Sequence, residues 1–270
     1  MIKMPEGPEA KISSNYLNKI LVYESSFQIV SEYYLDKYSK LFEKINSNMI
    51  KHELSFTVGK NIFLKLKDEQ FLRLHLGMTG GWSDINKKHC HFKISNAYNT
   101  LYFVDIRKFG KIDIISKQKF SSKYDNKFDS LNKNYNMLDH YNFLQNKIKP
   151  YQKICKILLN QQLFPGVGNY IKSESLYKTN IHPEESWGLI SDENKKKLIT
   201  NTKIVMNQSY KNGGAELKDF KNPFKNSNYQ LQIYGKKSTT ENIKVYKIKT
   251  SDQRSTWISE NQKLSPNNFV

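Results

Sequence analysis

Met4-Pro5-Glu6-Gly7-Pro8-Glu9 places two prolines and two carboxylates in six residues. As local structure this is a helix start, because proline is favoured before and within a first turn, where no backbone N–H is needed. As chemistry it offers more. A chain beginning at Pro5 would carry a free secondary amine beside the Glu6 carboxyl. Such an amine attacks an aldehyde-like carbon and forms an iminium, which acts as an electron sink. An α-amine titrates near pH 8, about two units below lysine, so much more of it is nucleophilic at neutral pH. Glu6 could then protonate a ring oxygen or shuttle protons. Met1-Ile2-Lys3 precede Met4, and with them in place the Pro5 nitrogen is locked in an amide. The chemical reading therefore expects translation from Met4, followed by loss of that methionine.

The composition fits such a role. The 270 residues suffice for one large or two ordinary domains. Lys and Arg total 43 against 25 Asp and Glu, a formal charge of +18, which favours a polyanionic partner, nucleic acid ahead of an anionic membrane. Aromatic residues at 13% offset a hydrophobic content of 38% and argue against a disordered chain. There is no apolar run of membrane-spanning length and no signal-peptide pattern, so the chain reads as intracellular. Cys90 and Cys155 lie far apart without a CxxC, which argues against a disulfide scaffold or a cysteine zinc site.

Working outward from the opening stretch, Ile12, Tyr16, Leu17, Ile20 and Leu21 have helical spacing over Ala10 to Leu21. From Val22 to Ile115 short apolar or alternating runs predict a β-rich sandwich or barrel: Leu54–Val58, Ile62–Leu66, Phe71–Leu76, His89–Ile94, Leu101–Val104 and Ile112–Ile115. Phe120 to Asn146 is polar and reads as a connector with one or two short helices. Helical pattern returns near Lys153, and Gly166-Val167-Gly168-Asn169-Tyr170 predicts a tight turn into another helix, capped by Asn169, whose free N–H groups face a phosphate. A further helix is expected from Ser191 to Tyr210, closed by Gly213-Gly214. Strands are expected again at Tyr229–Tyr234, Ile243–Ile248 and Ser255–Ile258.

Several stretches could carry chemistry. Lys60 follows Gly59 at a turn before a strand. His75-Leu76-Gly77-Met78-Thr79-Gly80 and Asp105-Ile106-Arg107-Lys108-Phe109-Gly110 are glycine-bounded loops whose Met, Arg and Phe suit filling a vacated base stack. His89-Cys90-His91 invites a metal reading. On a strand the two histidines would share one face and Cys90 the other, so three-point coordination is not expected. Gln253-Arg254-Ser255-Thr256-Trp257 frames a hairpin where Arg254 could grip two phosphate oxygens.

Together these residues resemble the formamidopyrimidine-DNA glycosylase/endonuclease VIII family. The motifs occur in the family's order: MPEGPE at 4–9, Lys60, HLGMTG at 75–80 with DIRKFG at 105–110, LLNQQLFPGVGNYIKSESL at 158–176, and QRSTW at 253–257. NGGAELKDF at 212–220, which contains Lys218, followed by LQIYG at 231–235, is similar to the family's lesion-facing loop and following strand. The resemblance implies an α+β protein: an N-terminal β-sandwich with flanking helices (1–125, native start Met4), a connector (126–150), a helix-two-turn-helix domain (151–225) and a C-terminal hairpin (226–270). DNA would lie in a basic cleft between the domains.

The resemblance also implies roles. Pro5 is the Schiff-base nucleophile and Glu6 the general acid. Lys60 holds phosphates and assists β-elimination, and Arg254 supports δ-elimination. His75, His89, Asn169 and Tyr234 lie near the DNA backbone. Met78, Arg107 and Phe109 fill the hole left by the flipped nucleotide, with Arg107 on the orphaned base. Glu9, Glu174 and Lys218 match positions near the pocket, the turn and the lesion-facing loop. The tail lacks the four ligands of the family's zinc finger. It resembles the zincless finger of some endonuclease VIII-like members, so no metal and no cofactor are expected. The expected partner is damaged DNA, duplex foremost and single-stranded DNA as a further form, bound by a monomer without membrane attachment. The expected lesions are oxidised pyrimidines and formamidopyrimidines. The competing readings are a binder of the same fold inactivated by a blocked N-terminus, and an RNA- or ribosome-binding protein suggested by charge alone.

Overall fold

A computed structural model describes residues 5–124, 127–215 and 227–266. The chain forms two compact units, Met1–Asp125 with Asn212–Asn228, and Asn126–Lys211 with Tyr229–Val270. Residues 126–150, expected as a connector, group with the second unit.

The first unit opens with helix α1 (Gly7–Leu21). Glu6 is its N-cap and Glu9 its third residue. Each carboxylate accepts from the other's backbone N–H, the reciprocal capping box that satisfies two orphan donors. Ile12, Leu17, Ile20 and Leu21 turn its apolar face inward. Strand β1 (Ser26–Ile29) follows, then helix α2 (Glu32–Asn48), both lying ahead of the first strand expected, Leu54–Val58, within the β-rich stretch. Ser31 caps α2, its Oγ accepting from Tyr34 N at 3.3 Å. Tyr34, Phe42 and Ile45 fall on one helical face and are buried.

Strands β2 (Phe56–Val58), β3 (Asn61–Lys65), β4 (Gln70–His75), β5 (Gly80–Ser83), β6 (Cys90–Ser95), β7 (Thr100–Asp105) and β8 (Lys111–Ser116) complete two antiparallel sheets. Their strand orders are β1-β6-β7-β5 and β2-β3-β4-β8. Phe27, Phe92 and Ile94 from one sheet and Ile62, Leu64, Leu72, Leu74 and Ile112 from the other close on a common interior with Leu17 of α1. This is the sandwich. On the outer face of the second sheet, Phe56, Phe63, Phe71, Phe120 and Tyr124 form an aromatic layer held down by helix α3 (Lys117–Lys123). Arg73 meets the carboxylate of its cross-strand partner Asp113 at 2.8 Å through both Nε and Nη2, and Nη1 donates to Tyr124 at 2.7 Å.

The second unit contains α4 (Met137–Lys147), α5 (Ile154–Leu159), α6 (Asn169–Thr179) and α7 (Asp192–Lys211), then a hairpin of β9 (Val245–Lys249) and β10 (Ser255–Ser259). Gly166, at φ +87°, makes the turn into α6 in the left-handed region open to glycine. Gly168, not Asn169 as expected, is the N-cap of α6.

Tyr229–Tyr234 is not a strand, against expectation; only Tyr229 takes part in a bridge. The reason is a competitor for its donors. The backbone N–H groups of Gln232, Ile233 and Tyr234 all donate to the buried Glu174 carboxylate, at 2.9 to 3.0 Å. A segment whose donors converge on one carboxylate cannot offer them to a neighbouring strand.

Candidate active site

The first unit collects most of the expected residues. Pro5 is buried directly before α1, Glu6 is 4% exposed and Glu9 fully buried. Glu9 does more than cap. Its Oε2 accepts from Glu6 N at 2.8 Å and its Oε1 from Ala215 N at 2.9 Å. Gly213 and Gly214 have φ +83° and +86°, and a Cβ on Gly214 would meet Glu9 Oε1 at 3.1 Å. One carboxylate thus fixes both the Pro5-Glu6 segment and the entrance to the 212–220 loop. Asn228 N donates to Asn212 O at 2.9 Å. Lys218 lies outside the described residues, as does Met4.

Lys60 sits in the turn between β2 and β3, after Gly59 at φ +58°. The next residue, Asn61, pairs with His75 across β3 and β4. Burial lowers the His75 pKa to about 4, helped by the charges of Lys60, Arg73 and Lys111. The ring is therefore neutral at pH 7. Its Nδ1 accepts from Gly77 N at 3.0 Å, which leaves the proton on Nε2 as a donor.

Burial also lowers His140 to about 4, and it lowers His182. The consequence for stability has a definite sign. Unfolded histidine binds its proton near pH 6.5, whereas folded His75 and His140 do so only near pH 4. In this window the unfolded chain holds more protons, so stability falls as pH drops, by at most about 1.4 kcal/mol per pH unit for each histidine. Urea unfolding at pH 7 and pH 5 should show the loss, and His75→Gln or His140→Phe should flatten it.

The two glycine-bounded loops meet over a residue whose role is not visible in the sequence. Asp105 is fully buried at the end of β7. Its Oδ1 accepts from the Thr79 hydroxyl and, at 3.3 Å, from Arg107 N; its Oδ2 accepts from Gly110 N at 2.6 Å. Gly77, at φ +66°, lies so close to the other loop that a Cβ would come within 2.6 Å of Gly110 N. Met78 is carried on the first loop. Arg107 and Phe109 are exposed on the second, with the guanidinium 5.0 Å from the centre of the Phe109 ring. The three void-filling candidates are therefore brought together by a buried carboxylate. Lys108 anchors the same loop to α2, its Nζ lying 4.3 Å from the centre of the Tyr33 ring.

His89 joins this edge through its backbone, whose carbonyl accepts from Asp105 N at 3.0 Å. It does not share a strand face with His91, as the alternation predicts. His89 has φ +70° and precedes β6, and a register shift lies between Cys90 and Phe92. His91 is buried in packing. Its Nδ1 is 3.0 Å from Ser31 Oγ, its Nε2 2.9 Å from Asp105 O, and its ring stacks on Tyr34. Among the described residues no group of three or more His, Cys, Asp or Glu could hold a metal.

The second unit carries the remaining candidates. Asn169, in the first turn of α6, donates from Nδ2 to Ser255 O at 2.8 Å. Tyr234 is buried with its ring 4.4 Å from Trp257. Arg254 is exposed at the tip between β9 and β10. Among the described residues no helix is long and apolar enough to cross a membrane.

A β-sandwich opened by a Pro-Glu helix start, with a helical unit bearing a glycine turn and a hairpin, is the architecture of a DNA-glycosylase class that uses a helix-two-turn-helix. Residues 4–112 match the formamidopyrimidine-DNA glycosylase N-terminal domain and residues 130–221 the corresponding helix-two-turn-helix domain. The chain belongs to the formamidopyrimidine-DNA glycosylase family. It is 31% identical over 252 residues to the formamidopyrimidine-DNA glycosylase of Wolbachia sp. subsp. Brugia malayi (strain TRS), covering 86% of this chain and 89% of that protein. It is 30% identical over 181 residues to that of Erythrobacter litoralis (strain HTCC2594), covering 62% of this chain and 64% of that protein. In fold it is similar to a Lactococcus lactis FPG mutant crystallised in complex with Fapy-dG containing DNA, with a TM-score of 0.80, 23% identity, and coverage of 96% of this chain and 99% of that one.

Proposed function

We propose that the chain is a bifunctional DNA glycosylase and abasic-site lyase of base excision repair that removes oxidised pyrimidines and formamidopyrimidines. The observation that carries this reading is the reciprocal Glu6–Glu9 cap, which builds the Pro5-Glu6 pair into the start of a helix in a member of this family. The match to the family's N-terminal domain begins at Met4, consistent with Pro5 as the working amine.

The chemistry is an addition followed by eliminations. The Pro5 nitrogen bonds to C1′ as the C1′–N bond to the damaged base breaks, and Glu6 supplies a proton to the departing base. The C1′–O4′ bond then opens, O4′ taking up the proton that the Pro5 nitrogen loses, and the resulting iminium acidifies the C2′ proton. Its loss expels the 3′ phosphate, and a second elimination expels the 5′ phosphate. Water releases the sugar remnant from Pro5, leaving a one-nucleotide gap with phosphate ends. Lys60, neutral His75 and Arg254 hold the phosphates. Met78, Arg107 and Phe109 occupy the vacated stack, and a damaged base costs less to extrude than an intact one. The excess of 18 positive charges supplies a binding term that should weaken steeply with salt.

Incubation of the Pro5-started chain with duplexes holding an abasic site, an oxidised pyrimidine or a formamidopyrimidine tests the proposal. Strand scission to phosphate-ended products at all three supports it. Scission at the abasic site alone restricts the chain to a lyase, and tight binding without scission makes it a binder of damaged DNA.

A further inference from the structure

The hairpin tip that carries Arg254 is fastened by side chains to α6 and to the turn that follows it. Asn169 Nδ2 on α6 holds Ser255 O at 2.8 Å, and Glu184 Oε1 holds Ser251 N at 2.6 Å. One turn beyond Asn169 on α6 is Lys172, whose side chain is fully buried. Its ammonium lies 2.5 Å from Asp252 Oδ2, and the Asp252 side chain is only 5% exposed. The other Asp252 oxygen accepts from the Thr250 hydroxyl at 2.7 Å and from the backbone N–H of Arg254 at 2.9 Å. Asp252 is thus joined through one oxygen to α6 and through the other to the residue proposed to grip the phosphate.

The charges give this arrangement a second consequence. Arg254 is two residues from Asp252, and among the described residues its guanidinium forms no ion pair. Burial lowers the Lys172 pKa, Asp252 opposes that, and the positive charge of Arg254 adds to it. A free Asp252 carboxylate beside an arginine is a competitor for the phosphate, because both offer paired oxygens to the same fork of donors.

We propose that Lys172 is a positioning residue that occupies the charge of Asp252, so that the neighbouring Arg254 stays available to a DNA phosphate. The inference rests on the lyase reading and adds to it a residue on α6 that acts through the hairpin tip. Without Lys172, Asp252 would retain its hydrogen bonds to the turn but would draw in the Arg254 guanidinium.

The test uses the full chain, started at Pro5, on an abasic-site duplex. It reads the ratio of δ- to β-elimination product together with borohydride trapping of the iminium. Lys172→Met should lower the ratio roughly tenfold or more, the scale of a lost charge-assisted contact, while trapping continues. Lys172→Met with Asp252→Asn should restore the ratio, since the introduced amide can still accept from Thr250 and Arg254 but carries no charge to capture the guanidinium. A merely structural role predicts the reverse, with the double variant no better than the single one. An unchanged ratio in Lys172→Met, or no restoration in the double variant, overturns the inference and leaves the lyase reading intact. If Lys172→Met does not fold, the double variant decides alone: a folded protein with the wild-type ratio supports the inference, and any other result overturns it. A wild-type chain that neither traps nor cuts overturns the lyase reading and this inference with it.

Discussion

Replacing Asp105 with alanine should cost about 3 kcal/mol of stability and slow base removal by roughly 100-fold. The stability loss follows from what the carboxylate holds. Gly110 N and Arg107 N donate to it, Gly110 in a buried setting, and the Thr79 hydroxyl donates from the facing loop. Alanine removes the acceptor of Gly110 N and of the Thr79 hydroxyl, whereas Arg107 N keeps its 3.0 Å bond to Thr79 Oγ1, and each buried donor left unpaired costs on the order of 1–3 kcal/mol. The rate loss follows from what the loops carry. Met78 sits on one loop and Arg107 and Phe109 on the other, and the close approach at Gly77 leaves little room for adjustment. Asp105→Asn should fall between alanine and wild type, because one of its terminal atoms becomes a donor facing donors. Urea unfolding and single-turnover excision, measured on the same preparations, check this. A destabilised variant with normal excision would show that the proposed void-filling role of Met78, Arg107 and Phe109 does not depend on this carboxylate.

Glu6→Gln should slow removal of a damaged base by roughly 10²- to 10⁴-fold, the range for losing a positioned acid, and reduce cleavage at a pre-formed abasic site far less. Glu6 has two jobs that this substitution separates. As the N-cap of α1 its side chain accepts from Glu9 N, and the amide oxygen of glutamine can do the same, so stability should change by no more than about 1 kcal/mol. In the proposed mechanism it is the acid that delivers a proton to the departing base, which glutamine cannot do. An abasic site has no base left to expel, so it bypasses that step. Comparing the two substrates under single-turnover conditions checks the prediction. Equal loss on both would place Glu6 in iminium formation itself.

The residues legible in the sequence are those whose meaning is local. The Pro-Glu start, the helical spacing of Ile12, Tyr16, Leu17, Ile20 and Leu21, and the glycines around Met78 and Phe109 declare themselves within a few positions. Helix α2 is not legible in this way, although Ser31 caps it and Tyr34, Phe42 and Ile45 share a face. Its aromatic residues fit a strand equally well, and strand patterns surround it. Tyr229–Tyr234 misleads for the opposite reason. Its alternation favours a strand, but the acceptor that claims its donors is Glu174, some 58 to 60 positions away. The same distance hides Glu9 from Ala215, 206 positions apart, and Lys172 from Asp252, 80 apart. Asp105 stands within a recognisable motif, yet a buried carboxylate that braces two loops looks, in sequence, like any acidic residue at a strand end.

If the Pro5 amine forms the bond to DNA, borohydride trapping on abasic-site duplex shows it most directly. The comparison is between a chain started at Pro5 and one kept intact from Met1 and verified by mass. A covalent adduct is expected for the Pro5 chain, mapped to Pro5 by peptide sequencing, and none for the chain in which that nitrogen is an amide. Equal trapping by the verified Met1 chain, or an adduct mapped to Lys60, would contradict proline catalysis.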